Sequence, residues 1–243
     1  ASGSGQYNTF IGYYAGCLNT SGSNNNFIGR SAGSNNTTGG LNNFIGCAAG
    51  KSNTSGVVNN FFGYLTGCSN TTGSNNVFIG RATGRDNISG HDNNFIGRYA
   101  GMGNTTGCCN NMIGRGAGQC ATVTGLHNTF LGTFAGKCAS GSATSNVVVG
   151  ENAGFYLSGL YNVLLGFESG HCMTSGRCNI ILGRTAGKFI TTGCDNVILG
   201  CQAGVVGTTQ AFNIFIGSGA GYNNTSYDNI FLGRAAGCKN TSG

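Results

Sequence analysis

The chain has 243 residues, of which 47 are Gly and none is Pro or Trp. At roughly 1 kcal/mol per residue, that much Gly excludes a helical protein, and the absence of Pro excludes collagen. The net charge of +6 comes from scarce acids rather than from a basic cluster, which argues against a nucleic-acid partner; 39% apolar content argues against disorder, and no apolar run is long enough for membrane insertion.

The motif Asn-x-Phe-Ile-Gly-x-x-Ala-Gly opens at Asn8 and recurs along the whole chain. Slots are numbered here from its first Gly, slot 0. Those glycines are Gly12, Gly29, Gly46, Gly63, Gly80, Gly97, Gly114, Gly132, Gly150, Gly166, Gly183, Gly200, Gly217 and Gly233. The step is 17 residues, interrupted by steps of 18, 18 and 16 between Gly114 and Gly166 and by 16 at the end. Fourteen such units fill residues 6 to 243 without a linker, so one domain is expected over 1–243. Seventeen Gly-rich residues are too few for a helical hairpin. They suit one turn of an all-β parallel β-solenoid (a β-roll or β-helix) of about 14 coils, with two or three short strands per coil. At about 4.8 Å per coil, the rod would be on the order of 67 Å long.

Each unit begins with Asn at slot −4: Asn8, Asn25, Asn42, Asn59, Asn76, Asn93, Asn110, Asn128, Asn146, Asn162, Asn179, Asn196, Asn213 and Asn229. Fourteen copies predict a structural amide ladder, not a ligand site. Slots −2 and −1 are apolar in every unit, yet successive strand residues point to opposite faces. One row lines the core against the small residues of slot +3. The other points outward, unless the coil is wide enough to enclose both. Slot −3 shares a face with slot −1 and is mixed, which places Phe of slot −2 inside and Ile or Leu of slot −1 outside. An outward apolar stripe of roughly 600 Å² should be covered by another chain. In the C-terminal half slot −3 is also apolar, at Val147, Val163, Ile180, Val197, Ile214 and Ile230.

The turn after slot +4 (Gly in every unit) often reads Asn-Thr-Thr-Gly. It creates glycosylation sequons at Asn19, Asn36, Asn53, Asn70, Asn87, Asn104, Asn224 and Asn240, all slot +7, where an exposed turn is expected. The plainer reading is that Asn, Thr and Gly are good turn formers. Slot +8 is Thr or Ser in every unit but that of Ile88, a row that also fits an ice-binding solenoid. Twelve cysteines suggest an oxidising setting. Stacked coils make Cys120–Cys138 and Cys178–Cys194 candidate disulfides, and Cys17 and Cys238 share slot +5 in the first and last coils, a candidate intermolecular pair. Slot +1 carries Arg30, Arg81, Arg98, Arg115, Arg184 and Arg234, a broken basic stripe open to acidic glycans or to a partner's carbonyls. No nucleophile is paired with a base, and no metal or cofactor motif stands out, so an enzyme is not expected.

The phrase Asn-Asn-Phe-Ile-Gly-Arg-x-Ala-Gly, followed by Asn-Thr-Thr-Gly, resembles the Gly/Asn-rich repeats of bacterial and phage fibre proteins with tail-fibre domains. It is more loosely similar to the head repeats of trimeric autotransporter adhesins. The resemblance implies an extracellular β-solenoid rod at a cell or virion surface. The chain begins Ala-Ser-Gly-Ser-Gly and ends Asn-Thr-Ser-Gly, with Gly243 in the slot of Gly5. The array is therefore expected to be uncapped and in phase at both ends. Together these features predict a structural protein that assembles with itself into a fibre by end-to-end or lateral stacking, the alternative being an adhesin shaft or head, or an ice binder.

Overall fold

The computed structural model describes residues 4–120, 125–141 and 143–241. They fall into two compact units, Ala1–Thr124 and Gly125–Gly243. The first carries β1 (Thr9–Ile11), β2 (Asn26–Ile28), β3 (Asn43–Ile45), β4 (Asn60–Phe62), β5 (Val77–Ile79), β6 (Asn94–Ile96) and β7 (Asn111–Ile113). The second carries β8 (Thr129–Leu131), β9 (Val147–Val149), β10 (Val163–Leu165), β11 (Ile180–Leu182), β12 (Val197–Leu199), β13 (Ile214–Ile216) and β14 (Ile230–Leu232). Within each unit every strand pairs in parallel with the next, slot on slot, and no helix occurs among the described residues. The all-β parallel solenoid that the repeat predicts is the fold.

A coil holds one three-residue strand, at slots −3 to −1, rather than two or three strands. The reason lies in the backbone after it. The residues at slots −5 and +2 adopt left-handed φ in coil after coil, although most are not Gly: Tyr14, Leu65, Tyr99 and Phe134 at slot +2, and Leu41, Val58 and Cys109 at slot −5. Extended runs are broken there. From the second coil on, left-handed residues are held by rungs to the preceding coil, as in Ser31 N–H to Tyr13 C=O at 2.8 Å and Leu41 N–H to Ser23 C=O at 2.9 Å. Such a φ is disfavoured for L-residues, so the stacking imposes the conformation and the side chain does not.

Glycine is required at two slots. At slot 0, Gly12 has φ 132°, and a Cβ there would lie 2.6 Å from the Gly29 carbonyl oxygen of the next coil. At slot +4, Gly67 has φ 54°, and a Cβ would lie 2.5 Å from the Phe61 ring. The invariant slot +4 Gly is thus the floor on which the core ring lies.

The slot −2 side chains are the core. Phe27, Phe44, Phe61, Phe78 and Phe95 are fully buried and stack with centroids 4.8–4.9 Å apart, the rise of one coil. Slot −1 faces out. In the second unit the core changes composition without changing its plan. Over β9–β12 slot −2 shrinks to Val148, Leu164, Ile181 and Ile198, while slot +7, which is Asn in the first six coils, becomes Leu157, Met173 and Ile190, all buried. A Cβ on Gly187 would sit 2.8 Å from Ile181 Cδ1 and 3.1 Å from Ile190 Cδ1, so the two residues close on the same space. Where slot +7 is Gly207, the buried side chain of Gln210 fills the vacated volume. Core volume is conserved coil by coil through paired exchange, as close packing demands.

Candidate functional site

Two amide ladders run inside the coils. The slot −4 row forms the first, as its repetition predicts. Asn59 donates its side-chain N–H to Gly73 C=O at 2.8 Å and to Asn42 Oδ1 at 3.1 Å, while its backbone N–H reaches the same Oδ1 at 2.9 Å. Its own Oδ1 accepts the backbone and side-chain N–H groups of Asn76. Both donors and both acceptor positions of this buried amide are used, which is what burial of a polar group requires.

The sequon asparagines form the second ladder, and this corrects the expectation of exposed glycan sites. Asn36, Asn53, Asn70, Asn87, Asn104 and Asn224 are fully buried and Asn19 nearly so, while Asn240 is half-buried. Asn53 donates to Asn36 Oδ1 at 2.7 Å and to Gly56 C=O at 3.1 Å, and Asn70 donates in turn to Asn53 Oδ1 at 2.8 Å. The Nδ2 that a glycan would occupy is spent inside the coil. The slot +10 carbonyl joins the ladders: Gly73 accepts from Asn59 at 2.8 Å and from Asn70 at 3.0 Å. Asn104 Oδ1 has no partner among the described residues, and in the sequence the next slot +7 residue, Ala121, brings no amide.

The cysteine pairings are also corrected. None of the twelve is in a disulfide. Cys120 and Cys138 lie in different units, and Cys178 and Cys194 are one slot out of register, with Asp195 following Cys178 in its column. Even in register, parallel coils hold equivalent Cβ atoms about 4.8 Å apart, outside the roughly 3.5–4.5 Å that an S–S bridge needs. Burial pushes the Cys108, Cys172 and Cys194 thiols up, which lowers their thiolate fraction. The argument for an oxidising compartment from structural disulfides therefore falls away.

Two outward surfaces remain. The first is the strand face. In the first unit it sets apolar slot −1 residues beside slot −3 residues that are polar except for Val77 and that ladder on the surface, as from Asn43 to Asn60 at 2.8 Å. In the second unit both columns of β9–β14 are aliphatic, from Val147 and Val149 to Ile230 and Leu232, with no charge between them. Ile180 is 43% exposed and Ile216 39% exposed, which is heavy exposure for β-branched side chains in a sheet.

The second surface is formed by slots +1, +2 and +5. A cleft of about 260 Å³ is lined by Arg30, Cys47, Lys51, Tyr64, Leu65 and Cys68 among others, so these slots share one face. Arg81 lies 6.0 Å from both the Tyr64 and Tyr99 rings, and Arg98 lies 4.7 Å from Tyr99 while donating to its hydroxyl at 3.2 Å. That hydrogen bond, with the charges of Arg81 and Arg85, holds the Tyr99 phenol below its ordinary value against the opposing effect of burial. Slot +1 alone reads as a broken stripe; the fold brings slot +5 beside it, an adjacency that spacing along one coil does not reveal.

The slot +8 hydroxyls donate to the next coil's backbone, as in Thr20 to Thr37 C=O at 2.9 Å and Thr191 to Thr208 C=O at 3.1 Å. They offer water only their acceptor lone pairs. Among the described residues no group of three His, Cys, Asp or Glu side chains is placed to hold a metal ion, and no helix is long and apolar enough to cross a membrane. In comparisons with known proteins, no family model, curated protein or solved structure matches the chain.

Proposed function

We propose that the chain is a structural fibre protein whose solenoid coils assemble with further copies, in the extracellular setting that its resemblance to fibre repeats implies. The observation that carries this reading is the charge-free aliphatic double column on β9–β14, which lies open along a sheet of in-register strands. Such faces pair by interdigitation when like meets like. Six coils of about 4.8 Å and a width near 10 Å give on the order of 300 Å². Stable pairs bury about 800 Å² per partner. One such face is therefore too small for a discrete dimer, which favours a polymer in which lateral contacts repeat and coil edges add to them.

Coil edges are suited to that second contact. Every coil presents the same slot order of N–H and C=O groups, so any coil continues any other by simple translation, and each added rung contributes about 1 kcal/mol net. The spacing that keeps equivalent thiols apart within the chain would hold at such a joint too, between Cys238 of one copy and Cys17 of the next, so the contact needs no disulfide. The engaged Thr row favours this reading over ice binding.

Sedimentation of the purified chain tests it. The wild type should form species heavier than the single chain, with size rising with concentration. Ile180→Lys, on an exposed side chain, should keep the fold and shift the distribution toward single chains. Single chains alone at every concentration would overturn the proposal and move the adhesin reading ahead.

A further inference from the structure

The cleft on the face of slots +1, +2 and +5 holds chemistry that assembly does not use. Its walls come from three successive coils: Arg30 from the second, Cys47 and Lys51 from the third, and Tyr64, Leu65 and Cys68 from the fourth. Arg30 donates from Nη2 to Cys47 Sγ at 3.4 Å. Stacking slot on slot sets that contact, because both residues occupy slot +1, one coil apart. Lys51 enters from slot +5, which the turn brings back to the same face. Both cations are exposed, and both thiols are half-buried. The chain has no Asp or Glu before Asp86, and Asp86 is engaged by Arg85 at 2.7 and 2.8 Å. The cleft therefore combines two thiols with two cations and no acidic wall. Other thiols meet acids: Cys194 stands against Asp195, and Cys172 beside the Glu168–Lys188 pair.

We infer that Cys47 is a thiolation site for small disulfides that carry acidic groups, with Arg30 and Lys51 recognising the acid. The step is thiol–disulfide exchange. Cys47, once its proton has passed to solvent, attacks one sulfur of the incoming disulfide. The Cys47–S bond forms as the S–S bond of the reagent breaks, and the other half leaves as a thiolate that takes up a proton. One disulfide is consumed and one is formed, so no further oxidant is needed. Negative charge spreads over the reacting sulfurs during the exchange, and the Arg30 N–H is already directed at the attacking one. Cations lining a cleft also raise the local concentration of an anionic reagent. At about 260 Å³ the cleft is smaller than a drug-sized ligand requires, and it suits the half of a small disulfide that stays attached. The second unit supplies an internal comparison. Arg184 and Cys201 repeat the slot +1 pair one coil apart, and Cys201 is also half-buried, but its coil has Val205 at slot +5 where that of Cys47 has Lys51.

The test compares two disulfide reagents of opposite character, dithiobis(nitrobenzoate), which is a dianion, and dithiodipyridine, which is neutral at neutral pH. Modification at each cysteine is timed by peptide mass spectrometry after an acid quench. The ratio of the anionic to the neutral rate at one cysteine removes its accessibility, which the two reagents share. That ratio should be at least about tenfold higher at Cys47 than at Cys201, and it should fall as salt is added. Arg30→Ala with Lys51→Ala, both at exposed side chains, should bring the Cys47 ratio down to that of Cys201 or lower. Arg30→Lys with Lys51→Arg should keep it high, which separates charge from packing. Cys68→Ser should leave the Cys47 ratio as it is. Equal ratios at Cys47 and Cys201, or a double Ala variant with the wild-type ratio, would overturn the inference. Anionic label that collects on Cys68 in place of Cys47 would overturn the choice of nucleophile. Assembly does not enter this test, because a copy that covers a cysteine shields it from both reagents alike.

Discussion

The buried amide is the residue on which each coil depends. Asn59→Ala would strand two N–H donors of Asn76 and remove one of the two amides on the Gly73 carbonyl. At roughly 1–3 kcal/mol per orphaned group, the expected loss is about 3 kcal/mol or more in a denaturant titration. A loss under 1 kcal/mol would mean that water replaces the ladder. The left-handed positions predict the opposite sign. Val58 is exposed, β-branched, and held at φ 59°. Gly adopts that φ without the Cβ clash, so Val58→Gly should raise stability by up to about 1 kcal/mol despite the added freedom of the unfolded chain. The neighbouring Val57→Gly, at a position with no positive φ, should lower it. Equal effects at the two positions would show that the strain is absent.

At the scale of the coil, slots −2 and +7 act as one packing unit. The coil of β8 combines Phe130 with Ala139, whereas the coil of β11 combines Ile181 with Ile190. Ile181→Phe alone should overpack and cost about 1–3 kcal/mol. Adding Ile190→Ala should recover part of that loss, giving a coupling of about 0.5–3 kcal/mol in a double-mutant cycle. Strict additivity would deny the exchange. This pairing was legible in the sequence: slot +7 turns from Asn to Leu157, Met173 and Ile190 in the same coils where slot −2 loses Phe. The sequon pattern at Asn36, Asn53 and Asn70 masked it, because Asn-Thr-Thr-Gly is also what an exposed turn looks like. The slot −4 ladder, the inward Phe row and the parallel register followed from repetition and the two-residue pleat. The single strand per coil did not, because left-handed φ at Leu65 or Val58 goes with rungs to the preceding coil and leaves no mark in residue type. The face shared by slots +1 and +5 was hidden for a related reason: three residues of turn separate them in the chain, and only the path of that turn makes them neighbours.

At the scale of the molecule, translation is the organising operation. Strand on strand, Phe on Phe and amide on amide, each element meets its own copy one coil away. Nothing in that rule distinguishes a coil of the same chain from a coil of another, which is why self-assembly is the function we propose. No disulfide holds the fold, so assembly should survive reduction. The most direct measurement is cryo-electron microscopy of the purified chain at high concentration under reducing conditions. The account predicts filaments whose averaged power spectrum carries a layer line near 4.8 Å along the axis, from strands stacked perpendicular to it. Dispersed single chains without filaments at the same concentration would contradict it.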